Sequence, residues 1–194
     1  MKRCDWCYVD NLYMQYHDEE WGKPVFNDRR LFEMLILEMF QAGLSWHTIL
    51  KKRKNFQDAF DNFDYVRVSQ YDEEKINELM NNQGIIRNRL KILAAINNAK
   101  QYMKIQEEYG SFADYLWSYV NHHPIINHYQ SLKEIPATSN LSDKIAKDLK
   151  NKGFKFLGST IIYSYLQAVG VVDDHIDDCF CKNKDKGENT RKYE

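Results

Sequence analysis

Apolar positions recur at helical spacing along most of the chain, and nowhere do they alternate with polar ones in the two-residue rhythm of a half-buried strand. Residues 28–42 predict a helix apolar on nearly every side, hence central and buried, with Gly43 ending it. Residues 45–60 predict a second helix, which carries the run Lys51-Lys52-Arg53-Lys54. Residues 72–81 and 85–108 read as helices with Gly84 between them, and 111–120 as a short aromatic one. Pro124 and Pro136 bracket a loop. Leu141, Ile145 and Leu149 share one face of a helix over 142–152 that Gly153 ends, and a last helix over 159–169 is closed by Gly170. Residues 1–24 are rich in Trp, Tyr and His but only weakly periodic. The expectation is a compact all-α fold, one domain over residues 1–181, followed by a loose polar tail over 182–194.

The 194 residues are 43% hydrophobic and 14% aromatic, enough for a full core and too aromatic for a disordered chain. The net charge of −1 argues against a broadly basic nucleic-acid coat. The longest apolar stretch, Leu31 to Phe40, is broken by Glu33 and Glu38 and falls short of the ~18 residues that span a bilayer. Met1-Lys2-Arg3-Cys4-Asp5 lacks the apolar core of a signal peptide. The expectation is therefore a cytoplasmic protein, away from membranes, with its thiols reduced.

All four cysteines lie near the ends: Cys4, Cys7, Cys179 and Cys181. Cys4, His17, His175 and Cys179 form a candidate two-Cys, two-His zinc set, in which His175 and Cys179 sit four residues apart. Four protein ligands leave no place for water, so such a site is structural. Cys7 and Cys181 compete for the same role, since Cys4-x-x-Cys7 is itself a zinc-like spacing, and from spacing alone the set stays open. A second constellation lies between the last two helices. Gly153 and Gly158 flank an apolar turn holding Phe154, Phe156 and Leu157, with Lys150, Lys152 and Lys155 alongside. Backbone amides there, at the start of a helix, suit a DNA phosphate without a basic chain overall, although any two helices joined by a short turn look similar. A third is Glu38, a lone carboxyl on the apolar helix, accompanied by Trp6, Trp21, Trp46, Tyr8, Tyr13 and Tyr16. A carboxyl among flat rings is suited to hold a nucleobase, by stacking on its face and hydrogen bonds at its edge.

These residues resemble one family, the type I 3-methyladenine DNA glycosylases. The matching stretches are Arg3-Cys4-x-Trp6, Tyr13-x-x-Tyr16-His17-Asp18-x-Glu20-Trp21-Gly22, Leu31-Phe32-Glu33-Met34 and Leu37-Glu38-x-x-Gln41-Ala42-Gly43-Leu44-Ser45-Trp46. Further along stand Gly84-Ile85-Ile86-Arg87-Asn88-Arg89-x-Lys91-Ile92, Leu116-Trp117-Ser118-Tyr119-Val120-Asn121, Gly153-Phe154-Lys155-Phe156-Leu157-Gly158 and Asp174-His175-x-x-x-Cys179. The resemblance runs in order from residue 3 to about 181 and implies a helix–hairpin–helix glycosylase fold with a structural zinc. It implies Cys4, His17, His175 and Cys179 as zinc ligands, with Cys7 and Cys181 as bystanders. It implies Glu38, Tyr16 and Trp46 as base-recognising residues, with Tyr13, Trp6 and Trp21 lining the pocket. Leu44 falls in the segment that enters the gap left by a flipped base, and Gly153, Lys155 and Gly158 in the DNA-binding hairpin.

The activity implied is hydrolysis of the N-glycosidic bond of 3-methyladenine in double-stranded DNA by a monomer, with Glu38 central and without strand cleavage, since no lysine stands where a Schiff-base amine would. Two departures are noted. Met39-Phe40 stand where relatives carry smaller or polar residues, so an altered pocket wall is expected. Asp173 stands where other helix–hairpin–helix glycosylases keep a catalytic carboxylate, and capping of local backbone is its expected role. Alternatives are a non-catalytic DNA-binding module, which base release distinguishes, and a zinc-stapled interaction domain, which predicts no affinity for abasic-site DNA.

Overall fold

A computed structural model of the chain describes residues 1–183. Nine α-helices are present among them: α1 (Asn11–Glu19), α2 (Asp28–Gln41), α3 (Trp46–Ala59), α4 (Tyr65–Ser69), α5 (Glu73–Asn81), α6 (Arg89–Tyr109), α7 (Phe112–Ser118), α8 (Asn140–Asn151) and α9 (Ser159–Ala168). α2 is the axis of the fold. Its residues from Leu31 to Phe40 are all buried, and α3, α6, α7 and α9 pack around it. Side chains start most of the helices: Asp10 accepts from Tyr13 N, Asn27 from Arg30 N, Ser45 from Thr48 N and Asn88 from Lys91 N. Ser139 and Ser142 cap α8 reciprocally.

The all-α expectation holds, with local differences. Helix 85–108 begins only at Arg89, because Asn88 is extended and spends its side chain as the cap, while Ile85 reaches the core from the loop before it. α1 escaped the periodicity because the residues it buries, Tyr16 and His17, carry polar atoms that no apolar pattern marks. α4 is too short to show a period. One pair of parallel bridges, β1 (Ile125–Ile126) with β2 (Val172–Asp173), ties the loop after α7 to the segment after α9.

Packing contacts continue past residue 181. Lys182 is buried and donates Nζ to the carbonyls of Asn127 and His175, and Asn183 N donates to Asp173 Oδ2 (2.9 Å). A buried ammonium must find acceptors, and these carbonyls supply them. Residues 184–194 of the expected tail lie outside the described residues.

Candidate functional site

α1, α2, α3 and α9 meet around a cavity of about 340 Å³. It is lined by Trp6, Tyr13, Tyr16, Trp21 and Trp46, five of the six aromatic residues singled out in the sequence, and by Glu38, while Tyr8 is exposed outside it. Trp6 packs against Tyr13 (centroids 4.8 Å) and Trp21 (5.1 Å), and Tyr16 against Trp46 (5.5 Å). Glu38 is 3% exposed, and its Oε2 has no hydrogen-bond partner in the protein. Burial pushes its carboxyl up to about 8, so near neutral pH the free protein holds it mostly protonated. Trp46 Nε1 is likewise buried without a partner. Among the described residues only three buried side-chain polar atoms are orphaned in this way, and two of them line this one cavity. A flat ligand with donors and acceptors on its edge satisfies both, while the rings around it cover its faces.

α9 supplies a wall that the sequence reading missed. Thr160, Tyr163, Ser164 and Gln167 line the cavity at i, i+3, i+4, i+7 spacing, a polar stripe on an otherwise apolar helix that periodicity was able to reveal. The buried Asp174 holds this wall, accepting from Gln167 Nε2 (2.8 Å) and from the Tyr163 hydroxyl (2.5 Å). Gln41 and the loop residues Leu132, Ile135, Pro136 and Ala137 complete the lining, and nothing local in the sequence marks that loop. Met39 and Phe40 do not line the cavity. Both are fully buried on the far side of α2, so the expected alteration of the pocket wall is absent.

The third orphaned atom, His175 Nε2, belongs to a cluster directly behind the aromatic wall. Trp21 meets the His175 ring edge to face (4.6 Å), and Trp6 the His17 ring likewise (5.2 Å). Nδ1 of His17 lies 2.8 Å from Asp18 Oδ1, and Nδ1 of His175 lies 2.8 Å from Asp173 Oδ1, which leaves each Nε2 free of a carboxylate. Arg3 braces Asp18 through Nε and Nη2 (2.8–3.0 Å). One candidate ligand atom from each of His17, His175, Cys179 and Cys181 lies within 4.8 Å of the others. Cys181, expected to be a bystander, is thus part of the cluster, but it approaches His17 from the Nδ1 side (3.9 Å) already taken by Asp18. Cys179 Sγ is 3.5 Å from His17 Nε2. Cys4 is fully buried with its amide 3.4 Å from the same Nε2, and burial pushes its thiol up to about 12, with the neighbouring Cys179 thiol adding to the shift. Cys7 Sγ turns instead to the Cys4 carbonyl (3.2 Å). Gly22 makes room for the arrangement: its φ is +74°, and a Cβ there would stand 2.7 Å from the His175 ring. Asp173 lies outside the cavity lining and is fully buried, accepting from His175 N, His175 Nδ1 and Asn183 N. Two of these bonds cap local backbone, and the third holds the His175 ring.

Two exposed features flank the cavity's helices. Leu44 is 41% exposed in the turn from α2 to α3. The turn between α8 and α9 exposes Gly153, Lys155, Phe156 and Gly158, and Gly153 adopts φ +89°, which an L side chain rarely does. A Cβ on Gly158, the N-cap of α9, would meet nothing within 4 Å, so its backbone is open to close approach. The Lys51–Lys54 run is not a free basic patch. Arg53 is half-buried against Glu33 (2.8 Å) and Glu20 (2.8 Å), Lys54 pairs with Asp58 (2.6 Å), and Lys51 faces Asp10 (3.8 Å). Lys152 is taken by Glu108 (3.0 Å).

Fold and site together define a class: a helical protein with an aromatic-walled pocket that faces a buried carboxyl, with an exposed leucine and an open helix N-terminus nearby. A sequence model described as methyladenine glycosylase matches residues 6–182, and the chain belongs to that family. It is 48% identical over 181 residues to DNA-3-methyladenine glycosylase 1 of Escherichia coli strain K12, covering 93% of this chain and 97% of that protein. A crystal structure of 3-methyladenine DNA glycosylase I superposes with a TM-score of 0.91 at 49% identity, over 94% of this chain and all of the other. The Staphylococcus aureus 3-methyladenine DNA glycosylase I, solved to explain 3-methyladenine recognition, superposes with a TM-score of 0.91 at 40% identity, over 95% of this chain and 98% of the other.

Proposed function

We propose that this chain is a DNA glycosylase that hydrolyses the N-glycosidic bond of 3-methyladenine in alkylated duplex DNA. The observation that carries the reading is the pair of orphaned polar atoms, Glu38 Oε2 and Trp46 Nε1, in a cavity walled by aromatic rings. The base enters by flipping out of the stack, since the bond is inaccessible inside a duplex. A base methylated at N3 is a cation. Stacked on Trp46 it gains cation–π attraction, about 2 kcal/mol when desolvated. Beside Glu38 it draws the carboxyl to its ionised form, because an opposite charge lowers a carboxyl pKa. When the bond between C1′ and the purine breaks, its electron pair passes to the ring and neutralises it. Water then bonds to C1′ and releases a proton to solvent. Among the described residues Glu38 is the only acidic one lining the cavity, so no second carboxylate of the ordinary glycosidase kind lies among them there, and the charged leaving group takes its place. No lysine among the described residues lines the cavity either, in keeping with base removal without strand cleavage.

In this reading α8, its turn and α9 form a helix–hairpin–helix that accepts a DNA phosphate on the amides around Gly153, Lys155 and Gly158, while Leu44 fills the gap left by the flipped base. Zinc held by Cys4, His17, His175 and Cys179 closes the N- and C-terminal segments together. The partnerless His175 Nε2, the two carboxylate-bound Nδ1 atoms and the Cys179 thiol 3.5 Å from His17 Nε2 fit a tetrahedral dication, whose role with four protein ligands is structural. The pocket is complete within one chain and the described cysteines are free thiols, which supports a monomer working in the cytoplasm.

The test is chromatography of bases released from methylated DNA. Wild type is expected to release 3-methyladenine, and Glu38→Gln and Glu38→Ala to lose about 10²-fold or more in rate, the usual effect of removing one preorganised electrostatic partner. No borohydride-stable adduct with DNA is expected. Release at the wild-type rate by both variants would remove Glu38 from its role, and no release by wild type would remove the function.

A further inference from the structure

α6 spends two buried polar side chains on the two segments assigned above to DNA. Lys91 is 8% exposed and donates Nζ to the carbonyls of Phe40 (3.2 Å) and Ala42 (3.3 Å), where α2 ends just before Leu44. Terminal carbonyls lack helical partners, and an ammonium there also meets the negative end of the helix dipole. Burial draws the Lys91 amine below its usual range, and no acidic group counters it. Asn98, seven residues on, is fully buried. It donates Nδ2 to the Lys155 carbonyl (3.0 Å) and accepts from Lys155 N at Oδ1 (2.9 Å), gripping the turn backbone as a neighbouring strand would. Asn97 adds a bond to the Gly153 carbonyl (2.8 Å).

Neither Lys91 nor Asn98 lines the cavity, so these bonds do not shape the base pocket. A leucine or methionine would fill either α6 position without the cost of satisfying a buried polar group. Seven residues of α-helix bring both side chains to one face and separate them by about 10.5 Å, close to three base steps of a duplex. We propose that α6 is a gauge that sets the spacing between the Leu44 segment and the α8–α9 turn, with Lys91 and Asn98 as positioning residues for engaging duplex DNA. The proposal rests on reading the chain as a base-flipping glycosylase. A leucine that fills the vacated stack and amides that hold a phosphate must act together, so a shift of either by about 1 Å weakens the joint contact.

The experiment compares wild type with Lys91→Met, Asn98→Leu and Asn98→Asp in two assays. The first is binding of free 3-methyladenine, read by tryptophan fluorescence. The second is steady-state base release from methylated duplex DNA. Lys91→Met and Asn98→Leu are expected to raise KM for DNA about tenfold, which corresponds to about 1.4 kcal/mol, with free-base affinity unchanged. Asn98→Asp keeps the acceptor for Lys155 N and loses the donor, so its KM is expected to lie between wild type and Asn98→Leu. Should Lys91→Met fail to fold, Lys91→Gln, which keeps one donor, is read in the same two assays. Unchanged KM in the folded variants overturns the gauge. So does parallel loss of free-base and DNA binding, the mark of general loosening. Wild type that binds DNA but releases no base overturns the glycosylase reading on which the gauge rests.

Discussion

Glu38 is held in two states that the base decides between. Burial raises its carboxyl from the usual carboxylate range to about 8, so folding favours the protonated form. A group whose pKa rises on folding is neutral at low pH in both folded and unfolded chains, and it costs stability as pH climbs from the unfolded value through the folded one. Glu38→Gln is therefore expected to melt at the wild-type temperature near pH 4 and progressively above it from pH 5 to 8, by calorimetry. Catalysis runs the other way. The carboxylate is the form that pairs with a cationic base, so kcat/KM for base release is expected to rise with pH and level off above about 8. A flat profile from pH 6 to 9 would mean that Glu38 meets the base without ionising. The same residue was visible in the sequence, because a charge on a helix otherwise apolar all round must be paired, functional or costly. Its partnerlessness was not, since only the packed structure shows that no neighbour reaches Oε2.

The helices divide the labour. α2 presents Glu38, α1 supplies Tyr13, Tyr16 and His17, and α9 lays its polar stripe along the opposite wall. α1 and the segment before it, which carries Trp6, are short and find their support in the His–Cys cluster, where Trp21 and Trp6 lean on the two histidine rings. Zinc in that cluster would brace the pocket wall as well as the chain ends. Purified protein is expected to carry about one zinc per chain by elemental analysis, and chelation to lower the melting temperature by at least about 5 °C. Cys4→Ser and Cys179→Ser are expected to lose the metal, and Cys181→Ser to keep it. Retention by Cys4→Ser with loss by Cys181→Ser would instead assign the fourth position to Cys181. Spacing alone left these thiols equivalent, and proximity groups Cys181 rather than Cys4 with His17, His175 and Cys179. What favours Cys4 in the proposed set is that the Nδ1 of His17, the side Cys181 approaches, is already bound to Asp18.

Charge over the whole molecule acquires a different meaning once the fold is known. The net charge of −1 excludes a basic coat, and the lysine run on α3 is largely committed to carboxylates. Binding to undamaged duplex must then come from a few backbone amides and the odd lysine. The logarithmic dependence of that affinity on salt is expected to have a slope of only about −2 to −3, as two or three phosphate contacts give. A slope beyond about −6 in a fluorescence-anisotropy titration would require a phosphate-binding face that the described residues do not display. By itself the sequence determined the helical class, the central helix α2 with its misplaced carboxyl, the glycine-bounded turn and the aromatic set, because helical period, glycine and a charge in an apolar run are local signals. Only the tertiary structure decided which rings share the cavity with Glu38, that Met39 and Phe40 turn away from it, that α9 and the 132–137 loop close it, and that α6 grips both exposed segments. Those outcomes depend on side chains distant in sequence meeting at fixed distances, and no local pattern carries that information.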